Sequence, residues 1–219
     1  MSDAGTSATA GRDRSNREWW LRTLLVLQHP RAVFVALRDD ARASAAERSE
    51  QVLLIVLLAG MAYALASPTA GHLKDDNSSY DGLVIAVWAF IAGALAGAIA
   101  YFAVGAILHW SVKGLGSQGS YRRTRHVLAF ASVPLVLSLV IWPFKLAIYG
   151  QDLFRRGGGD TGTGIHVFTA IEFAFFLWAV VLLVIGIRAV HGWSWTRAGT
   201  ACVLAVAAPT LLGFAIANL

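Results

Sequence analysis

Long apolar runs separated by short polar segments set the pattern of this chain. They fall at residues 51–67, 83–110, 127–149, 165–187 and 198–217. A helix crosses about 30 Å of hydrocarbon with roughly 20 such residues. The pattern predicts an all-α polytopic membrane protein, a five-transmembrane-helix bundle over residues 49–219. The second run is longer than a bilayer needs and must tilt or project beyond it. The first run ends at Pro68. The third and fifth each carry a mid-span, helix-breaking proline, Pro134 and Pro209.

Two other patterns precede the first run. Residues 1–15 are Ser, Ala, Gly, Thr and charge, too polar to bury a core, and are predicted to be a disordered cytoplasmic tail. Residues 16–48 read as amphipathic helices lying in the interface. Trp19, Trp20, Leu24 and Leu27 fall near one helical face, with Arg17, Glu18 and Arg22 elsewhere. Pro30 suits the first turn of a second helix, in which Phe34 and Leu37 repeat at helical spacing. These helices form either a membrane-resting collar or a docking surface for a cytosolic partner. Ser44-Ala-Ala-Glu47 matches a capping box and places a helix start just before the first span.

Composition sharpens the class. The chain is 57% hydrophobic and 14% charged, where soluble domains carry about 25% charged residues. The single cysteine, Cys202, excludes an internal disulfide and a cysteine-based metal site, and reads as a packed small residue. No short apolar core with a cleavage site precedes the first span, so no cleaved signal peptide is expected. Arginine far outnumbers lysine among abundant Ala and Gly, which suggests a bacterial source.

The distribution of charge matters more than the net +5. Eight Lys and Arg precede the first span, four lie between the second and third, and two between the fourth and fifth, against four on the other side. Positive segments stay in the cytoplasm, so the N-terminus is expected inside and the C-terminus outside a cell membrane. The turn Ser120-Tyr-Arg-Arg-Thr-Arg-His126 anchors this reading through Arg122, Arg123 and Arg125, the cytoplasmic basic turn. Trp19, Trp20, Trp110, Trp193 and Trp195 would then lie at the inner interface and Trp142 near the outer one, as aromatic belts require. A weak repeat relates Gly119-Ser-Tyr-Arg with Pro134 to Gly192-Trp-Ser-Trp-Thr-Arg197 with Pro209.

Candidate chemistry is sparse. Gly93 and Gly97 form a GxxxG, and Ala89, Gly93, Gly97, Tyr101 and Gly105 recur every four residues as a helix-packing face for another helix of the chain or for a dimer. Glu172 is the one acid deep in an apolar run, and Lys145 lies near the outer end of the third span. Lys145 would either snorkel to the interface or reach Glu172 as an intramembrane ionisable pair. Such a group is either a proton or cation site or a structural tie between helices. His109, His126, His166 and His191 sit at span ends without metal spacing. Asp75, Asp76 and Asp81 form an outer acidic loop, read as solvated. Gly114-Leu-Gly116-Ser-Gln-Gly119 spells GxGxxG but follows a membrane helix, not a strand, so it is no dinucleotide site. No catalytic constellation, cofactor-binding or metal motif is found, and no nucleic acid is expected.

Three stretches carry a family likeness: His29-Pro30-Arg-Ala-Val-Phe34-Val-Ala-Leu37, the Ser120-Tyr-Arg-Arg turn with Ala129 and Pro134, and Gly192-Trp-Ser-Trp-Thr-Arg197-Ala198. On these the chain resembles the Yip family, membrane proteins named for interacting with Ypt/Rab GTPases, in its bacterial branch. The resemblance spans about residues 20–215. It implies a five-helix bundle, N-terminus in the cytosol, with a scaffolding or trafficking-like role. The longer cytosolic segment of eukaryotic members has no counterpart here, and the GTPase link is not carried over. The expected function is thus a non-enzymatic membrane scaffold or accessory subunit. Its partners would be membrane lipids, anionic ones at the basic turn, and a protein or a second copy. The alternative is a small transporter or channel with its site at Glu172 and Lys145. A lipid-acting intramembrane enzyme finds no support in the residues.

Overall fold

The structure, a computed structural model, describes residues 18–67, 69–75, 81–156 and 162–217, with side chains described to 207. The expected tail at 1–15 lies outside them, as do Pro68 and Asp76. Every regular element among the described residues is helical: α1 (18–25), α2 (Pro30–Ala36), α3 (Arg42–Glu47), α4 (Ser49–Leu65), α5 (Gly82–Ile99), α6 (Gly105–Gly114), α7 (Tyr121–Ala131), α8 (Val133–Ser138), α9 (Ile141–Tyr149), α10 (Thr163–His191) and α11 (Trp195–Ala217). A π-helical turn, Ala100–Val104, joins α5 to α6 without a break.

Among the described residues three rods are long and apolar enough to cross a membrane: Gly82–Gly114, Tyr121–Phe154 and Thr163–His191. The 17-residue α4 is shorter and equally apolar. On α5, Leu83, Val87, Ile91, Leu95 and Ile99 recur every fourth residue and are all exposed. They form one unbroken apolar stripe opposite the buried Ala89, Gly93 and Gly97. In a soluble helix the polar side would face out. Here only lipid suits the outward face. The protein is a membrane protein.

Local chemistry sets where helices begin and end. Asp81 caps α5 by accepting from the Val84 N–H at 3.0 Å. Ser120 caps α7 by accepting from Arg123 N–H at 3.1 Å, and the Ser194 hydroxyl accepts from Arg197 N–H at 3.3 Å ahead of α11. The two turns of the weak repeat therefore share one device, a serine cap answered by an arginine three residues on. Gly192 ends α10 in the left-handed region, φ 67°, which glycine adopts without strain. Pro134 sits in the first turn of α8, where its missing N–H is not needed, and the third rod is split just before it at Ser132. Pro209 behaves differently from the mid-span break expected of it. The backbone of α11 stays helical from Trp195 to Ala217, since losing one hydrogen bond does not by itself end a membrane helix.

The N-terminal helices also differ from the expected collar. Trp19, Thr23 and Val26 turn inward, and Trp20, Leu21, Leu24 and Leu25 turn out. Trp19 packs on Phe130 at 5.8 Å between ring centres. Phe34 and Leu37 are fully buried in the same core as Val127, Ile187 and Ala198. Phe34 reaches this depth because Gly186 leaves room: a Cβ there would lie 3.0 Å from its ring and 2.7 Å from Val127 Cγ1. Arg38 closes the arrangement by donating to Ala189 O, near the end of α10, at 2.9 and 2.6 Å. The capping box is not formed. Ser44 lies inside α3 and donates to Asp39 Oδ2 at 2.6 Å, while Asp39 Oδ1 accepts from Ala41 N–H at 3.1 Å and takes over the turn.

Candidate functional site

Two polar clusters interrupt the apolar bundle. The first lies where the α2–α3 loop, the start of α4 and the start of α7 converge. Arg48, at the cap position of α4, is 0% exposed. Its Nε donates to His126 Nδ1 at 2.8 Å and its Nη2 to Asp39 O at 3.0 Å, with Asp40 Oδ1 at 3.8 Å. An arginine N–H can only donate, so Nδ1 of His126 is the acceptor and a neutral ring carries its proton on Nε2. Burial lowers the Arg48 pKa, and the charges of Asp40 and Asp39 oppose that loss.

Asp40 joins this cluster to the basic turn. Its carboxylate accepts from Arg122 Nε at 2.9 Å and from the Ser120 hydroxyl. Arg122 Nη2 also donates to the Asp40 carbonyl. Burial raises the Asp40 pKa, but the hydrogen bonds from Ser120 and Arg122 and the neighbouring arginine charges outweigh it, leaving the carboxyl below its ordinary value. Hydrogen bonds from the Ser44 hydroxyl and the Ala41 N–H lower the pKa of Asp39.

The three arginines of the basic turn therefore have different settings. Arg122 is committed to Asp40. Arg125 lies among three rings, its Cζ 4.9, 4.7 and 4.4 Å from Tyr101, Phe102 and Tyr121. Arg123 keeps a buried Nε with no hydrogen-bond partner.

The second cluster is the pair Lys145 and Glu172. Lys145 Nζ on α9 lies 2.9 Å from Glu172 Oε1 on α10, with side chains only 7% and 17% exposed. The ammonium also sits 4.3 Å from the centre of the Trp142 ring. Of the two settings open to Lys145, interface or Glu172, the structure has the second.

The glycine face meets α4. A Cβ on Gly93 would fall 2.5 Å from Met61 Cα, and one on Gly60 would fall 2.6 Å from Gly97 N and strike Gly93 O. Backbone lies on backbone at this crossing, which is the most extensive helix pairing in the bundle. Gly105 leaves that face. The intervening π turn rotates it toward α7, where Arg125 Cγ lies 2.6 Å from its would-be Cβ. Tyr101, in the π turn, packs against Arg125. Beside the glycine crossing is an apolar cavity of about 570 Å³, lined by Tyr63, Leu128, Ser132 and Phe176 among others.

Several of the remaining candidates are internally engaged, while His166 is exposed. Ser117 pairs with His191 at 3.1 Å, and His109 Nδ1 lies 3.4 Å from the Thr124 hydroxyl. In the glycine-rich loop Gly116 has φ 86°, Arg197 donates to Leu115 O, and a Cβ on Gly119 would meet His191 at 2.9 Å. Side chains therefore lie close over Gly116 and Gly119. Asp75 accepts from Arg156 N–H at 2.8 Å, and Asp81 caps α5. Cys202 is half-buried and free. No group of His, Cys, Asp and Glu among the described residues has metal-holding geometry.

Arg48, Asp39, Asp40 and Gly60 were not singled out by sequence. Arg48 counts as one more topology charge there, since its partner His126 lies 78 residues away. A lone Gly60 has no motif of its own.

A family model described as the Yip1 domain matches residues 24–217. No curated protein matches the chain. No solved structure matches it.

Proposed function

Because the chain belongs to the Yip1 domain family, we propose that it is a non-enzymatic membrane scaffold or accessory subunit. Its spans number five, α4 and α11 joining the three long rods. The charge asymmetry supports a cytoplasmic N-terminus and an extracytoplasmic C-terminus in a bacterial inner membrane. Residues 18–48 then dock on the inner ends of the spans, not merely on the lipid.

One observation carries this reading: the buried Lys145 and Arg48 are each engaged by partners within the bundle. Glu172 is bonded to Lys145, and Arg48 to His126 and the Asp39–Asp40 loop. A transport site needs an ionisable group that can exchange its partner for substrate and water. Neither of the two cavities described, near the glycine crossing or at the α2–α10–α11 junction, is lined by Lys145 or Glu172. A bundle tied in this way is suited to present fixed surfaces.

The test is in-cell crosslinking in native membranes followed by mild purification and mass spectrometry. The expected result is one protein partner, or a second copy of the chain, at stoichiometric yield, retained in Glu172→Gln. Recovery of the chain alone, with neither partner nor self-crosslink, contradicts the scaffold reading.

A further inference from the structure

We propose that the cleft where α2, α10 and α11 meet binds one anionic phospholipid, its phosphate held between Arg31 and Arg188. The inference rests on the membrane placement proposed above and adds a ligand to it. The cleft has a volume of about 620 Å³. Its floor is apolar, from Val35 and Ile185. Its wall is the Trp195 indole. Its rim carries His29, Arg31 and Arg188, and no carboxylate lines it.

The two arginines share one lining, and neither donates to a protein acceptor among the described residues. Arg38, Arg48, Arg122 and Arg197 all donate to protein oxygens or nitrogens, and Arg125 is enclosed by three rings. Arg188 lies 4.5 Å over Trp195, yet its Nε is buried without a hydrogen-bond partner. Arg31 is exposed and makes no hydrogen bond or ion pair with another described residue. Two guanidinium groups on one rim, with no acid, present unmatched charge to whatever fills the cleft. Guanidinium forks match phosphate oxygens, and the stacked Arg188 is already oriented.

The rest of the cleft identifies the source of the phosphate. A free phosphate would satisfy the arginines and leave the Val35–Ile185 floor wet. A phospholipid satisfies both, with its acyl chain on the floor and the indole at the headgroup boundary. The adjoining α1 presents Trp20, Leu21, Leu24 and Leu25 outward and runs directly to the His29 rim, so the cleft opens beside an interfacial apolar face. A zwitterionic headgroup would bring its own cation to a rim with no acid to receive it.

The full-length protein in detergent micelles is titrated with phosphatidylglycerol or phosphatidylcholine, and bound lipid is counted by native mass spectrometry. Wild type is expected to retain one phosphatidylglycerol with roughly tenfold or greater preference, as two arginines near an anionic headgroup imply. Arg31→Gln/Arg188→Gln should lose the preference while keeping its helical circular dichroism. Arg42→Gln, which removes one positive charge away from the cleft, should keep it. Arg188→Lys should retain part of it, which guards against a misfolded double variant. Preference unchanged in Arg31→Gln/Arg188→Gln overturns the proposal. So does full displacement of phosphatidylglycerol by inorganic phosphate that stabilises the protein equally, which makes the site one for free phosphate. Partner recovery by crosslinking is independent of these outcomes, so a failed cleft and a failed scaffold are told apart.

Discussion

Arg48 carries its charge with no exposed surface, and the residues around it compensate for lost water with specific partners. Asp40 is the pivot, because it faces both Arg48 and Arg122. Its folded pKa lies below the ordinary value, so its contribution is present above about pH 4 and fades as pH falls through the folded value. In detergent, Asp40→Asn is expected to lower the melting temperature at about pH 7 by the equivalent of about 1–3 kcal/mol. That difference from wild type should shrink at about pH 3. Equal differences at both values would show that the carboxylate charge is not what holds the loop. For Lys145 and Glu172 the expected result is a coupled double-mutant cycle. Glu172→Leu alone should cost about 2–4 kcal/mol by stranding the ammonium, and adding Lys145→Met should restore much of it. Both residues stood out in the sequence as ionisable groups in or beside apolar runs. Which of two settings Lys145 takes depends on how α9 lies against α10, and no local pattern encodes that. Arg48 was less visible still, because a charge before a span looks the same whether it orients the chain or is buried beneath it.

At the scale of helices, the packing of α4 on α5 depends on three glycines. Gly60→Ala or Gly97→Ala would place a methyl group against backbone that cannot step aside, and is expected to lower the melting temperature sharply, by roughly 2–4 kcal/mol in stability. Gly199→Ala meets nothing within 4 Å and serves as the control, neutral or stabilising by up to about 1 kcal/mol. Similar losses at all three positions would mean that the backbone approach is not what matters. The lengths and apolar character of α5, α6 and α10 were legible because they follow from composition over many residues. The π turn was not, and it sends Gly105 to α7 although its spacing from Gly97 is regular. The α1 face was also misread: Trp19 and Trp20 are both apolar, and only the pocket beside Phe130 and Arg48 decides which one turns inward.

The whole molecule is a membrane bundle with its N-terminal helices packed into the same core and with Arg48 and Lys145 paired inside it. The proposed orientation rests on lysine and arginine counts alone, which are read from the sequence. In a Cys202→Ala background, a membrane-impermeant maleimide is expected to label Thr163→Cys in intact cells and Arg42→Cys only after lysis. The opposite pattern would invert the molecule. The scaffold reading turns on whether the charge at Glu172 serves the bundle or a moving ion. The most direct measurement is cation and proton flux into proteoliposomes of the wild-type protein and Glu172→Gln under an imposed gradient and potential. The account predicts rates equal to protein-free vesicles for both, with Glu172→Gln only less stable. Flux that needs Glu172 and is lost in Glu172→Gln would contradict it and make the pair a transport site.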